Sequence, residues 1–485
     1  MSVTLPGTTT LPEAPTRRPG RALVTVLATA GIVVATQQTL VIPLVPQLPA
    51  LLGVSAADAS WAVTATLLAG AVATPTVGRL ADMFGKRRML MLCLAMVTIG
   101  STVAALSTGL GGLIVGRALQ GLGVGVIPLG ISLMRDHLPL SRLPGATASM
   151  SASLGVGGAF GLPLAALIIE HVSWHAVFWV SAGLAVIVAG LVLRFVPESP
   201  APGGRFDLVG AVVLAAALLA LLLGLTKAGS WGWTDPLTLG LFGTAAVLLP
   251  AWAVWELRSA HPLVDLRISR RRQVLLTNSA SLVFGFGMLT SSLVFPQLVQ
   301  LPAASGYGFG RSILVAGLVQ APGGLAMMAM SPVSARLTGR FGARVTLMAG
   351  AATVALGYAF GATLHSEIWH VLVAVLVVTS GIGLAYGAIP SLIMAAVPLG
   401  QTAAANSFNN LSRAIGTSTA SAAVGVILAQ LTMTTGGHTY PAESAFTIAL
   451  ALGALGAAGA LAIAFFLPRH RAAGARARSV VLQHR

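Results

Sequence analysis

Long apolar segments separated by short polar connections run through the chain, and this alternation leaves few folds open to it. Hydrophobic residues make up 56% of the 485 residues and charged residues only 8%. A segment of about 20 apolar residues can cross a bilayer, and in hydrocarbon it satisfies its own backbone hydrogen bonds only as a helix. The pattern predicts an all-α polytopic membrane protein. Its fourteen expected spans begin near Ala22, Ser60, Met89, Gly109, Leu143, Ala176, Leu208, Pro236, Val274, Ser312, Val345, Ile368, Thr402 and Ala445.

The basic residues fall almost entirely on one side of these spans. Of the 28 lysine and arginine residues, 24 lie in the two tails or in connections that share a membrane face with them. Short cytoplasmic connections carry such an excess. The net charge of +16 therefore predicts membrane topology, with both termini cytoplasmic, rather than binding to nucleic acid. The other four are Lys227 and Arg311, towards the opposite face, and Arg117 and Arg413, within spans.

Several classes of chemistry lack the residues to support them. The single cysteine, Cys93, lies inside an expected span, so neither a disulfide framework nor a metal site is indicated. The sequence has no phosphate-binding loop and no catalytic triad, and its connections are too short for a nucleotide-binding module. We therefore expect no enzyme activity, no metal and no cofactor. The polar start of the chain predicts a disordered cytoplasmic tail rather than a cleaved signal.

A charge-dense stretch, residues 78–88, separates the second span from the third. It combines glycines, one acid and several bases, which cannot lie in hydrocarbon, so we expect a tight loop at the membrane face. Asp82 can cap the N-terminus of a neighbouring helix, and the bases suit an anionic inner leaflet. Residues 335–344 match residues 78–87 at five of ten positions, which indicates two related halves.

This stretch resembles the signature G-x-L-a-D-r-x-G-r-[KR]-[KR] between helices 2 and 3 of the major facilitator superfamily. The residues that carry the resemblance are Gly78, Asp82, Gly85, Lys86, Arg87 and Arg88. The resemblance implies a loop that holds two halves of the protein in one access state. The alternative is that the loop only marks topology.

The spacing of the two copies indicates extra helices between the halves. The copies lie 257 residues apart, whereas six helices with their connections need roughly 180–200. Two more spans fit, and this arrangement resembles the fourteen-helix drug:proton antiporter branch of the superfamily. The expected organisation is a tail over 1–21, a six-helix half over 22–196, a linker with two membrane helices and a basic cytoplasmic loop over 197–272, a second six-helix half over 273–467 and a basic tail over 468–485.

Polar residues in helices 1 and 4 are candidates for proton relay or substrate contact. Gln37 stands where the branch signature L-D-x-T-I-V-N-V-A-L-P has an aspartate, and Gln38 follows it. An amide side chain can form hydrogen bonds, but it does not take up or release a proton at physiological pH. Arg117, Gln120 and Gly121 resemble the helix-4 signature R-x-x-Q-G and share one helix face. A charge within a span costs about 2.5–3.5 kcal/mol on insertion scales. The alternative is that these residues only bond neighbouring helices.

Helix 5 combines small residues with an eroded signature. Gly157 and Gly161 permit close helix contact, but Leu162 and the displaced Pro163 depart from the antiporter pattern G-P-x-x-G-G. Glu170 and His171 follow at the outer end of this helix. As candidates they could titrate together near neutral pH, or they are a wetted interfacial pair.

Helix 13 carries a polar stripe. Asn406, Asn410 and Arg413 recur at helical spacing, which predicts that they face the bundle interior rather than lipid. They are further candidates for proton relay or substrate contact. The alternative for Arg413 is a structural role, in which it packs against the connection 336–344.

The resemblance implies a secondary transporter of the bacterial inner membrane that exports amphipathic drug-like or antibiotic-like molecules, as in multidrug efflux and antibiotic resistance. Substrate would bind between two rocking halves, with the proton gradient as energy source. The lack of an obvious fixed acid favours neutral, lipophilic or anionic substrates. Expected partners are the substrate and membrane lipids, without nucleic acid, and a monomer is expected. The alternatives are a facilitator, a metabolite or lipid exporter without conventional proton antiport, or a non-transporting sensor on a transporter scaffold.

The topology can be tested with location reporters. Alkaline phosphatase is expected to stay inactive, and green fluorescent protein to fluoresce, when fused after Arg485 or inserted in the loop 258–272, because basic connections stay inside. The same reporters in the connection 301–312 are the control and should give the reverse result. Phosphatase activity at either basic position would contradict the fourteen-span arrangement.

Overall fold

Fourteen helices of the computed structural model are long and apolar enough to cross a membrane, which confirms the predicted all-α fold. The structure describes residues 19–468, except 43, 45, 46, 140, 202, 436 and 437. Most of the two expected tails, residues 1–18 and 469–485, lies outside the described part. Each spanning helix begins within three residues of its predicted start.

The first half contains six spanning helices. They are α1 (Pro19–Leu40), α2 (Trp61–Phe84), α3 (Lys86–Leu106), α4 (Leu110–His137), α5 (Leu143–His171) and α6 (Trp174–Phe195). A single 3-10 turn, Leu122–Gly125, interrupts α4. Two short helices, Leu48–Leu52 and Ala56–Ala59, connect α1 to α2.

Two helices, α7 (Leu208–Trp231) and α8 (Pro236–Arg258), separate the halves. The second half contains α9 (Arg272–Gln300), α10 (Ile313–Phe341), α11 (Ala343–Thr363), α12 (Ile368–Ala396), α13 (Thr402–Gln430) and α14 (Glu443–Phe465). Short elements occupy its connections, namely a helix at Leu266–Ser269 and 3-10 turns at Ala303–Ser305 and Leu399–Gln401. Strands β1 (Thr432–Thr435) and β2 (His438–Pro441) pair antiparallel between α13 and α14.

Successive helices alternate in direction, so their ends lie on two faces. We call the face that holds the α2–α3, α8–α9 and α10–α11 connections the basic face, because Arg79, Lys86 and the arginines of the loop 258–272 lie there. The other face, with the α1–α2 and α9–α10 connections, is the opposite face.

The expected loop over residues 78–88 is much shorter than predicted. Helix α2 continues to Phe84 and α3 begins at Lys86, so Gly85 alone joins them. Gly85 has φ +105°, a backbone conformation open chiefly to glycine. The expectation was wrong because these charged side chains find partners that let the helices run to the membrane face. Gly342, with φ +90°, joins α10 to α11 in the same way.

Glycines let the helices approach closely where the backbones cross. A Cβ atom on Gly100 of α3 would strike the backbone of α4 at Gly116, and the converse also holds. Gly157 and Gly161 of α5 lie where that helix crosses α1, next to Thr36 and Thr39. Because there is no hydrophobic driving force for helices to associate in lipid, membrane helices depend on such close packing.

The two extra helices pack on both halves. Leu218 of α7 and Trp252 of α8 share an apolar cluster with Leu68 of α2 and Leu411 of α13. Near the opposite face, the Lys227 ammonium of α7 donates to the Ser60 hydroxyl at 2.7 Å and lies 4.5 Å from the centre of the Trp61 ring. The α7–α8 pair therefore belongs to the folded body.

Gly342 provides a test of the one-residue connection. Gly342→Ala is expected to lower the melting temperature of the detergent-purified protein, because an L side chain at φ +90° and ψ +156° costs about 1–3 kcal/mol. Gly339→Ala, three residues earlier in open space within α10, is the control and should leave the melting temperature unchanged or raise it. Equal melting temperatures for both variants would contradict the strained connection.

Candidate functional site

A cavity of about 320 Å³ lies between the two halves, and we call it the central cavity. Residues of α1 and α5 line it on one side, and residues of α9, α10 and α12 line it on the other. The lining positions lie in the middle and towards the opposite-face ends of α1, α5 and α9. The volume is within the range of small-molecule sites.

The described residues that line the central cavity are uncharged. Its hydrogen-bonding side chains are those of Gln38, Thr39, Ser291, Ser292, Gln300, Gln320 and Thr379, and its other lining residues are apolar or glycine. Gln320 donates to the Ser291 carbonyl oxygen at 3.3 Å, while its own buried Oε1 accepts no hydrogen bond from the described residues. An apolar surface with a few amides and hydroxyls suits an amphipathic molecule.

The adjacent glutamines of α1 lie in different surroundings. Gln38 lines the central cavity. Gln37 is buried inside the first half, and its backbone carbonyl oxygen accepts a hydrogen bond from the Arg117 guanidinium at 3.4 Å. Successive side chains of a helix point about 100° apart, so only one of the two can face the cavity. The residue at the signature aspartate position is therefore the one turned away from it.

At the basic face, Asp82 of α2 caps the N-terminus of α13. Its two carboxylate oxygens accept hydrogen bonds from the backbone N–H groups of Ala403, at 3.2 Å, and Ala404, at 2.9 Å. First-turn N–H groups have no partner within their own helix, and the helix dipole favours a negative charge there. One carboxylate thus joins the first half to the second.

Ionic contacts around Asp82 extend this closure. The Lys86 ammonium lies 3.8 Å from Asp82 and binds both oxygens of Asp136 on α4, at 2.9 and 2.8 Å. The neighbouring Arg135 crosses to the second half, where it donates to the Thr402 hydroxyl and to the Val397 carbonyl oxygen, both at 2.9 Å. Side chains of α2 and α4 therefore bind the α12–α13 connection of the second half to the first half.

Two glycines permit these contacts. A Cβ atom on Gly78 would collide with the Ser407 side chain and the Ala403 carbonyl group, so only glycine lets α2 and α13 lie this close. Gly85 faces the Glu198 carboxylate, which accepts from the Arg87 backbone N–H at 3.0 Å. The halves are thus packed together at the basic face, and the central cavity lies on the other side of this closure.

The polar residues of helix 4 are buried within the first half. Arg117 is 1% exposed, and it donates to the Ala62 carbonyl oxygen at 2.9 Å and to Gln120 Oε1 at 2.6 Å. Gln120 in turn donates to the Ser101 hydroxyl at 2.7 Å, and Gly121 packs on the α2 backbone. This network joins α1, α2, α3 and α4 and does not line the central cavity.

The candidates of helix 5 separate from one another. Pro163 lines the central cavity, whereas Gly157 and Gly161 face α1. His171 is exposed at the opposite face and contacts the Leu167 carbonyl oxygen at 3.0 Å. The side chains of Leu162 and Glu170 lie outside the described part of the structure, so a contact between Glu170 and His171 stays a prediction.

The polar stripe of helix 13 faces the boundary between the halves. Asn406 and Asn410 are buried, and Arg413 donates to Asn410 Oδ1. Arg413 also lies over the Tyr386 ring, 5.0 Å from its centre. It therefore packs beside α12, and not against the connection 336–344 as the structural alternative supposed.

Several site residues escaped the sequence analysis. Asp136 and Arg135 could have been identified from the sequence, because charged residues at the end of a span need hydrogen-bond or ionic partners. Gln320 could also have been identified, since an amide within a span is costly unless it has a partner or a function. Tyr386 and Asn409 could not have been identified from the sequence, because their role depends on contacts with other helices.

Comparison with known proteins gives matches over most of the chain. A family model described as Major Facilitator Superfamily matches residues 27–421. The tetracenomycin C resistance and export protein of Streptomyces glaucescens is 29% identical over 417 residues, covering 84% of this chain and 76% of that protein. The multidrug resistance protein Stp of Mycobacterium tuberculosis (strain CDC 1551 / Oshkosh) is 29% identical over 376 residues, covering 76% and 68%.

A solved structure, that of the human organic anion transporter MFSD10, is similar with a TM-score of 0.65 over 93% of this chain and 100% of that chain. The sequence identity is 16%, so the likeness concerns the fold alone.

The Asp82 contact can be tested by cysteine labelling. In a Cys93→Ser background, Ile131→Cys places a thiol on α4 behind the closure, and Asp82→Asn should raise its labelling from the basic face about five- to thirtyfold. The reason is that loss of a charge at a helix N-terminus, together with its ammonium partner, costs about 1–2 kcal/mol. Asp58→Asn, at the opposite face, is the control. Unchanged labelling in Asp82→Asn would exclude a closing role.

Proposed function

The chain belongs to the Major Facilitator Superfamily, and from this premise we propose that it exports amphipathic, drug-like or antibiotic-like small molecules across the cell membrane by alternating access. The observation that carries the proposal is a central cavity between the two halves, with no charged side chain among its described lining residues, beside the contacts that join the halves at the basic face. Such a cavity can receive substrate from one side and release it to the other when the halves rock.

The names of two relatives support this substrate class. One is a tetracenomycin C resistance and export protein and the other a multidrug resistance protein. The uncharged lining with scattered amides and hydroxyls suits molecules of that kind, since it favours burial of apolar surface over any one charge.

We further propose that the basic face is cytoplasmic, because basic connections are retained inside. The structure then corresponds to an outward-facing state, in which the central cavity serves the external side. Asp82, Lys86 and Arg135 would hold this state closed towards the cytoplasm, and substrate would enter after those contacts break.

For the energy source, we propose the proton-motive force. The described lining residues of the central cavity offer no carboxylate for proton exchange, and the Gln37 amide cannot replace one. Asp82 and Asp136 are the carboxylates that bridge or support the closure. Protonation of Asp82 would weaken its contact with α13, which links a proton to the access state. A facilitator without proton exchange is the second candidate, favoured by the amide at position 37.

Transport by purified protein in proteoliposomes tests the proposal. From a panel of neutral, anionic and cationic amphiphiles, at least one member is expected to accumulate, and an uncoupler should abolish that accumulation. Gln320→Leu should raise KM about two- to tenfold for panel members with hydrogen-bond donors, because one hydrogen bond contributes about 0.5–1.5 kcal/mol. Gln297→Leu, an exposed position on the same helix as Ser291, is the matched control. Folded protein that moves no member of the panel would contradict an export function.

A further inference from the structure

A second, smaller space lies between the halves on the basic-face side of the central cavity, and we call it the inner pocket. It has a volume of about 30 Å³, enough for a water molecule or two. Ile127 and Ile131 of α4 and Ser151 of α5 line it from the first half, while α9, α12 and α13 line it from the second. Because its walls come from both halves, it must widen when they part at the basic face.

Arg413 brings a fixed positive charge to the inner pocket. Its guanidinium contacts the Asn410 amide oxygen and the face of the Tyr386 ring. Arg413 forms no ion pair with a carboxylate in the part of the chain that the structure describes. Among the described residues that line the inner pocket and the central cavity, none is a carboxylate. The Arg413 charge is thus stabilised by the Asn410 amide dipole and by the Tyr386 ring, but not by an anionic side chain.

Three asparagine side chains line the inner pocket together with this guanidinium. Asn409 donates from Nδ2 to Asn278 Oδ1 at 2.9 Å and to the Ser281 hydroxyl at 2.7 Å, and Asn406, Asn409 and Asn410 all line the inner pocket. A guanidinium fork beside amide N–H groups is suited to a carboxylate or phenolate, which accepts several hydrogen bonds and neutralises the charge.

Tyr386 separates Arg413 from the central cavity. It is 3% exposed, its ring covers the guanidinium, and its hydroxyl lies 3.7 Å from the sulfur of Met288, which lines the central cavity. The Ser151 hydroxyl donates to the Tyr386 carbonyl oxygen at 2.7 Å across the boundary between the halves. Separation of the halves at the basic face therefore disturbs the segment that covers Arg413.

From this geometry we propose that Arg413, with Asn409 and Asn410, binds the anionic group of an amphipathic carboxylate or phenolate when the basic face is open. In the closed arrangement the inner pocket is too small for such a group and the Tyr386 ring occupies the guanidinium face. The anion then passes to the uncharged central cavity, which holds it weakly. The proposal rests on the export function proposed above and names its substrate class.

For an anionic substrate, the membrane-potential component of the proton-motive force is by itself a sufficient energy source. Outward movement of a monovalent anion down an inside-negative potential of 100 mV supports a concentration ratio of about fiftyfold, without any exchanged proton. Transport of this kind needs no protonatable group in the pathway. It agrees with a central cavity whose described lining residues include the amide of Gln38 and no carboxylate.

Matched probes separate the anionic group from the rest of the molecule. Full-length protein in proteoliposomes is given dansyl-phenylalanine, a carboxylate, or dansyl-phenylalaninamide, its neutral counterpart. A lumen-positive potassium diffusion potential of about 100 mV is expected to accumulate the carboxylate at least tenfold, whereas a pH gradient without a potential should not. Movement of the amide should not depend on the potential.

Three variants locate the effect. Arg413→Gln is expected to reduce carboxylate transport at least tenfold and to leave amide transport within twofold of wild type, which also reports correct folding. Arg413→Lys, which keeps the charge without the fork, should be intermediate. Arg340→Gln, an exposed arginine at the basic face, is the matched control and should match wild type for both probes.

Cysteine protection provides a second measurement where Arg413→Gln does not fold. In a Cys93→Ser, Ile131→Cys, Asp82→Asn background, the carboxylate should slow labelling of the pocket thiol at least threefold and the amide should not. Arg413→Lys should weaken that protection.

Four results would overturn the proposal. They are equal loss of both probes in a folded Arg413→Gln variant, equal protection by both probes, carboxylate movement that follows the pH gradient alone, and potential-driven amide movement. Failure of wild type to move either probe would overturn the proposed export function, and this inference with it.

Discussion

The contact between Asp82 and the N-terminus of α13 is the one on which the observed arrangement of the halves depends. It combines a charge, two otherwise unpaired N–H groups and a helix dipole. Its position is set by Gly85, the single residue between the end of α2 and the start of α3, which brings Lys86 to Asp82 and Asp136. The glycine, the acid and the bases of this stretch therefore work as a unit, because each would be misplaced without the others.

Two arginines within spans show how differently the same sequence signal can be used. Arg117 is enclosed by carbonyl and amide oxygens of its own half, where its charge fastens α4 to α1 and α2. Arg413 borders the space between the halves, and its guanidinium packs over the Tyr386 ring. A guanidinium surrounded by its own half cannot be reached by substrate unless that half unfolds, whereas one at the boundary is uncovered by rigid-body rocking. Accessibility, rather than burial or charge, distinguishes the two.

Much of the fold could be predicted from the sequence, because a bilayer allows few structures. The fourteen spans follow from the length of the apolar segments. The extent of the 78–88 connection could not be predicted, since it depends on ion pairs between α2, α3 and α4. Nor could the separate surroundings of Gln37 and Gln38, because a rotation of about 100° decides which of them meets the cavity. The partners of Arg413 depend on the packing of α12 against α13, for which no local pattern exists.

An asymmetric pathway does not by itself give a direction to transport. A site that binds tightly when open to one face and weakly when open to the other changes the concentrations at which a carrier works, but at equilibrium it moves nothing uphill. Work must come from a gradient, and a pathway whose described lining residues include no carboxylate offers a proton little to bind. If the cargo carries the charge, the membrane potential acts on the cargo directly. The asymmetry between Arg413 and the uncharged central cavity then serves capture of scarce substrate inside and release of it outside, while the potential supplies the direction.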